Sequence, residues 1–116
     1  MNKFELMERT RQFAIRVFKL MSKFPKSRGG DIISYQLLKA ASSEAANYRA
    51  ACRGKSRADF INKIKIVEEE ADESLFWLQF IKDVEIIKAD QELDALLKEA
   101  NELVAIFTQS LKTLKS

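Results

Sequence analysis

The side chains that most often carry out protein chemistry are scarce in this sequence. It has no histidine and a single cysteine, Cys52. The commonest general base and the commonest transition-metal ligand are therefore missing, and no internal disulfide can form. The densest acidic run is Glu68-Glu69-Glu70-Ala71-Asp72-Glu73. Bundles that hold two metals use inward glutamates with Glu-x-x-His pairs on two helices, a pattern that cannot be completed here. An all-oxygen magnesium or calcium site would need these acids to converge, yet successive positions on a helix point to different faces. The run reads as a solvated face. Within it, Glu70 and Glu73 are expected as structural polar groups, accepting bonds from a neighbouring helix or pairing with arginines of another subunit.

Nucleophilic catalysis has no better footing. The serines and Cys52 have no histidine base, and neither a G-x-x-x-x-G-K-[ST] nor a G-x-G-x-x-G loop occurs. Gly29-Gly30 is a turn signal. Cys52 reads as a small buried hydrophobe. The expectation is a non-enzyme with no catalytic residue, no metal and no cofactor.

Basic residues gather at Arg49, Arg53, Lys55 and Arg57, followed by Lys63 and Lys65. Such a patch can contact phosphates, each contact steepening the salt dependence of binding. No helix-turn-helix or comparable reading module accompanies it, so recognition would follow backbone and shape rather than base sequence. Asn47, a mediocre mid-helix residue, is either exposed or kept to set register through a buried hydrogen bond. Trp77 reads as a core or interface anchor rather than a platform for a base.

These residues need elements to hold them. With 116 residues, 47% hydrophobic and 32% charged, one proline and three glycines, the chain fits one domain with too few turn formers for many strands. Breaks fall at Phe24-Pro25-Lys26-Ser27-Arg28-Gly29-Gly30, at Arg53-Gly54-Lys55-Ser56, and more softly between Lys82 and Asp90. Gly54 suits a left-handed residue past a helix end. Ser56 with Asp59 resembles a capping box, and Asp90 can cap a following helix. The predicted helices span about 4–23, 31–53, 57–82 and 91–114. Short connections between long amphipathic helices make an all-α, up-down-up-down antiparallel four-helix bundle.

The fourth helix has the cleanest stripe: Leu93, Leu96, Leu97, Ala100, Leu103, Val104, Phe107, Leu111 and Leu114. The second has two apolar lines, Ile33-Leu37-Ala40-Ala51 and Leu38-Ala41-Ala45-Tyr48-Cys52. A bundle helix needs one. Either the second helix has one wide stripe buried within its own bundle, or, as Ile15 and Phe18 outside the first helix's stripe favour, the surplus predicts self-association through Ile15, Phe18, Tyr48 and Trp77.

Charge is divided along the chain. Residues 1–65 carry 15 Lys/Arg and 5 Asp/Glu, residues 66–116 carry 5 and 12. Either helices of opposite charge pack together, within or between subunits, or the basic half faces a polyanion. No segment approaches the roughly 18 apolar residues of a membrane span. No signal peptide is readable, and the lone cysteine fits a reducing cytoplasm, the expected location.

In order and spacing, one set of residues resembles the bacterial four-helix bundle family typified by proteins encoded in 23S rRNA intervening sequences. Phe24-Pro25 precedes the second helix, which carries Gln36-Leu37, Ala40-Ala41, Ser42-Ser43 and Asn47-Tyr48-Arg49. Ser56-Arg57-Ala58-Asp59-Phe60 opens the third, followed by Lys63-Ile64-Lys65-Ile66, Glu70, Glu73 and Trp77-Leu78. Relatives commonly carry a glutamate where this chain has Ala50. The resemblance implies a bundle that assembles into rings, pentamers in known members, with no enzymatic activity. It also implies similarity to accessory proteins of diversity-generating retroelements, which bind nucleic acid and a reverse transcriptase through a basic surface. The expected partners are therefore further copies of the chain and RNA or a reverse-transcriptase-type protein, with a protein-only interaction module as the alternative.

Overall fold

Each helix starts where a short polar side chain can accept bonds from its first free N–H groups. Asn2 caps α1 (Lys3–Leu20) by accepting from Glu5 N–H, and Ser27 caps α2 (Arg28–Ala51) by accepting from Gly30 N–H. Ser56 does the same for α3 (Arg57–Val84) through Asp59, and Asp90 for α4 (Gln91–Lys115) through Leu93. The computed structural model describes residues 1–116.

Ser27 explains why α2 begins three residues before the expected start. Gly29-Gly30 is not a turn but part of the first helical turn. A Cβ on Gly30 would lie 2.9 Å from Ser27 Oγ and 3.2 Å from Ile86 Cδ1. α1 stops at Leu20 and tightens into a 3-10 turn over Met21–Lys23, ahead of an extended Phe24 before Pro25.

Gly54 is not left-handed, contrary to expectation, since no glycine has positive φ. The chain instead leaves α2 by short bonds from Arg53 N–H to Ala50 O and Gly54 N–H to Ala51 O. Glycine is needed for clearance: a Cβ would sit 3.0 Å from Ala51 O and 2.9 Å from Asp59 Oδ2. The one left-handed residue is Glu85 (φ 54°, ψ 43°), which ends α3. The Ser56 cap forms as predicted, but the Asp59 carboxylate binds Lys63 Nζ at 2.6 Å.

Helices of 18 to 28 residues fit a 45 × 21 × 21 Å molecule only when aligned with its long axis. They form the four-helix bundle expected, each packing on the next in chain order, with α2 on α3 the largest contact and α1 on α4 the smallest. Its centre is made by Phe13, Val17, Leu37, Val67, Leu96 and Phe107, all fully enclosed. Charge clasps the α1–α4 seam. Arg9 grips Glu99 in bidentate fashion and reaches Glu102, Arg16 binds Glu92, and Lys23 binds Asp90. The descending numbers on α4 show the two helices antiparallel. Opposite charges thus meet within one chain along this seam.

One carboxyl lies inside the core. Glu44 on α2 is 1% exposed, and neither carboxylate oxygen has a hydrogen-bond partner. Burial, with Glu99 and Glu70 as further negative charges, pushes its carboxyl up to about 8.

Candidate nucleic-acid interface

The turn from α2 into α3 lies at one end of the bundle, and the antiparallel layout brings the end of α4 to the same place. Arg57 Nη2 donates to the Leu114 carbonyl at 2.7 Å. Lys112 and Lys115, in the last turn of α4, therefore join the predicted basic set. The carboxyl-terminal poles of α2 and α4 favour cations there. Arg49, Arg53 and Lys55 are exposed, and none has a carboxylate in salt-bridge range. On α1, by contrast, Arg9, Arg11 and Arg16 are all paired with glutamates. Of the four predicted residues, three are free and Arg57 has given one nitrogen to Leu114. The sequence reading missed Lys112 and Lys115. The signal was present: in an up-down bundle, the ends of the second and fourth helices must be neighbours.

The residues predicted to face another subunit separate into two kinds. Phe18 is 62% exposed. Ile15 is half-buried and lines a groove of about 540 Å³ between α1 and α2. Tyr48 does not belong with them. It is only 6% exposed, with its ring 5.5 Å from that of Phe107, so it is part of the chain's own core and has almost no surface to offer. The line it shares with Ala41 turns inward because the α2 stripe is wide, spanning Ala40, Ala41, Glu44 and Tyr48. Burial makes its hydroxyl a weaker acid, with a pKa well above the ordinary tyrosine value.

Trp77 is half-buried, with Nε1 enclosed and unpartnered. It stands edge-on to Phe76 at 5.0 Å and to Phe80 at 5.7 Å. Those two phenylalanines, 52% and 37% exposed, are the outward residues of the cluster. With Trp77 they make up the aromatics of α3 after residue 70, all outside its 64-67-71-78-81 stripe.

Asn47 bonds to its own helix, Nδ2 donating to both the carbonyl and hydroxyl of Ser43 at 2.9 Å. It makes no bond across a helix interface. Burial first, then the charge of Glu73, raises the Glu70 carboxyl above its usual range. Glu73 is half-buried and unpaired. Nowhere do three Cys, Asp or Glu side chains converge as they would around a metal ion. No helix is long and apolar enough to cross a membrane.

No curated protein matches the chain. It is similar to a crystal structure of a protein of unknown function from the S23 ribosomal protein family of Bacteroides thetaiotaomicron. That likeness has a TM-score of 0.84 at 28% sequence identity, over 97% of this chain and 99% of that one. The pattern of the family described as 23S rRNA-intervening sequence protein matches residues 2–109. Spanning all four helices, that match shows that the chain belongs to the 23S rRNA-intervening sequence protein family.

Proposed function

We propose that this chain is a non-enzymatic, self-associating bundle of the cytoplasm that binds RNA through the basic end formed by Arg49, Arg53, Lys55 and Arg57, with Lys112 and Lys115 beside them. One observation carries the reading. The α1–α4 seam pairs Arg9 and Arg16 of α1 with glutamates of α4, whereas Arg49, Arg53 and Lys55 at the end of α2 have no carboxylate partner. Unpaired, exposed guanidinium groups are suited to phosphate, which they can grip with two parallel bonds. The family's name links it to 23S rRNA, which makes a large folded RNA the polyanion to test. Self-association is supported by exposed Phe18, Phe76 and Phe80, because monomers rarely display that much aromatic surface.

Titration of a structured RNA at two salt concentrations tests the binding. Four phosphate contacts predict that affinity falls by roughly 50- to 150-fold between 50 and 200 mM salt. Arg49→Glu with Arg53→Glu removes two cations and adds two anions, so binding at 50 mM salt is expected to be lost. Equal affinity in the double variant, or no binding by the original chain at low salt, sinks the reading.

A further inference from the structure

We infer that the basic end contains a base-binding pocket: one unstacked base of the bound RNA enters the cavity between α3 and α4, beside Arg57, Lys112 and Lys115. This deepens the RNA binding proposed above and rests on it. The cavity is about 330 Å³, the size of the smaller ligand pockets, which run from about 300 to 1,000 Å³. Leu6 of α1, Tyr48 of α2 and Ile64 of α3 are buried and make its floor; half-buried Phe60 and Leu114 stand at its mouth. Leu114 is also the residue whose carbonyl accepts from Arg57, so the cavity adjoins the basic end.

The lining has two kinds of surface, and a nucleobase has the same two. Phe60 supplies an aromatic face, on which any base can stack. α4 supplies the polar atoms, from Gln109, Ser110 and Thr113. Ser110 Oγ donates to the Ile106 carbonyl, which leaves its lone pairs free to accept. Thr113 Oγ1 accepts from Gln109 Nε2 at 3.5 Å, so the threonine hydroxyl hydrogen and the glutamine carbonyl oxygen remain for a base edge. No carboxylate lines the cavity. The acids beside its lining residues in sequence, Glu5 and Asp59, are engaged by Asn2 and Lys63. Arg57, Lys112 and Lys115 have no carboxylate in salt-bridge range. A wholly apolar ligand would cover the polar atoms of α4 without bonding them, and a simple anion would gain nothing from the floor. A base joined to its phosphate uses the floor, the polar wall and the cations together. In a duplex both faces of a base are stacked and its edge is paired, so the cavity selects an unpaired one.

Two labelled hairpin RNAs, titrated with the full chain at low salt and followed by fluorescence anisotropy, test this. One has a loop of adenosines; in the other the loop nucleotides are abasic, which keeps every phosphate and removes the bases. The original chain is expected to bind the adenosine loop roughly 5- to 150-fold more tightly, the range for one stacked base. Phe60→Leu takes away the aromatic face, and Ser110→Leu fills the cavity and deletes an acceptor; neither removes a cation. Each variant is expected to lose the preference while binding the abasic hairpin as the original does. Circular dichroism confirms the helices, and if either variant fails to fold, Thr113→Leu at an exposed position replaces it. Equal affinity of the original chain for the two hairpins, or a preference that survives the variants, overturns the pocket and leaves the basic end standing. No binding of either hairpin overturns both.

Discussion

Replacing Glu44 by valine, a side chain of similar volume, is expected to raise the unfolding free energy at pH 8 by on the order of 4 kcal/mol. The cause is a carboxyl enclosed in the core with no donor to either oxygen. Held neutral, it still leaves buried polar atoms unsatisfied, at a cost of about 1–3 kcal/mol. The larger effect comes with ionisation. Its folded value of about 8 lies above the ordinary 4.5, so the folded state holds the proton more tightly than the unfolded chain does. That contribution is fully present below pH 4.5 and is lost as pH rises through 8. The span corresponds to roughly 5 kcal/mol at most, at about 1.4 kcal/mol per pH unit.

The opposite sign applies to Glu92, which its contact with Arg16 holds below the usual range; its share is lost as pH falls below that range. Stability should therefore peak near pH 5 and decline toward pH 9. Urea denaturation across that range checks it. Glu44→Gln, which keeps the size and removes the titration, should flatten the alkaline decline, while valine also lifts the whole curve. A chain equally stable at pH 5 and 9, or a valine variant with the original pH profile, contradicts the account.

Truncating Phe107 to alanine is expected to cost about 3–5 kcal/mol. The ring is fully buried on α4 and lies against Tyr48 of α2. Its loss opens a cavity at the bundle centre and strips Tyr48 of its neighbour. Against the 5–15 kcal/mol typical of a domain, the variant would be marginal at room temperature. The denaturation midpoint should drop with the slope unchanged. A loss below 1 kcal/mol would mean that the surrounding helices close over the gap.

The bundle was legible because its signals were local. Of the α4 stripe, Leu93, Leu96, Ala100, Leu103 and Phe107 are buried while Leu97 and Val104 at its edge are half-buried, and Ser56 and Asp90 cap the helices they precede. Errors arose where a residue's role depends on what stands opposite it. Tyr48 looked like surplus surface until Phe107, far off in sequence, was seen across from it. Glu44 falls between apolar positions, and nothing near it in sequence shows that its oxygens are enclosed. Gly54 has the spacing of a left-handed cap, but its constraint is crowding by Asp59 and Ala51. The predicted basic set, Arg49, Arg53, Lys55 and Arg57, lies exposed. Lys112 and Lys115 were missed because only the antiparallel return of α4 brings them there.

The clasp between α1 and α4 has a consequence for the rest of the molecule. Contact is smallest at this seam, and arginine and lysine pairs span it, so this edge of α1 is latched by ions, while Phe13 and Val17 hold its inner face in the core. Concentrated electrolyte loosens such a latch while strengthening apolar packing elsewhere. The backbone amides of α1 should then be the first to exchange with solvent as salt rises. Because α1 supplies one wall of the groove it shares with α2, an edge that loosens with salt also reshapes that groove.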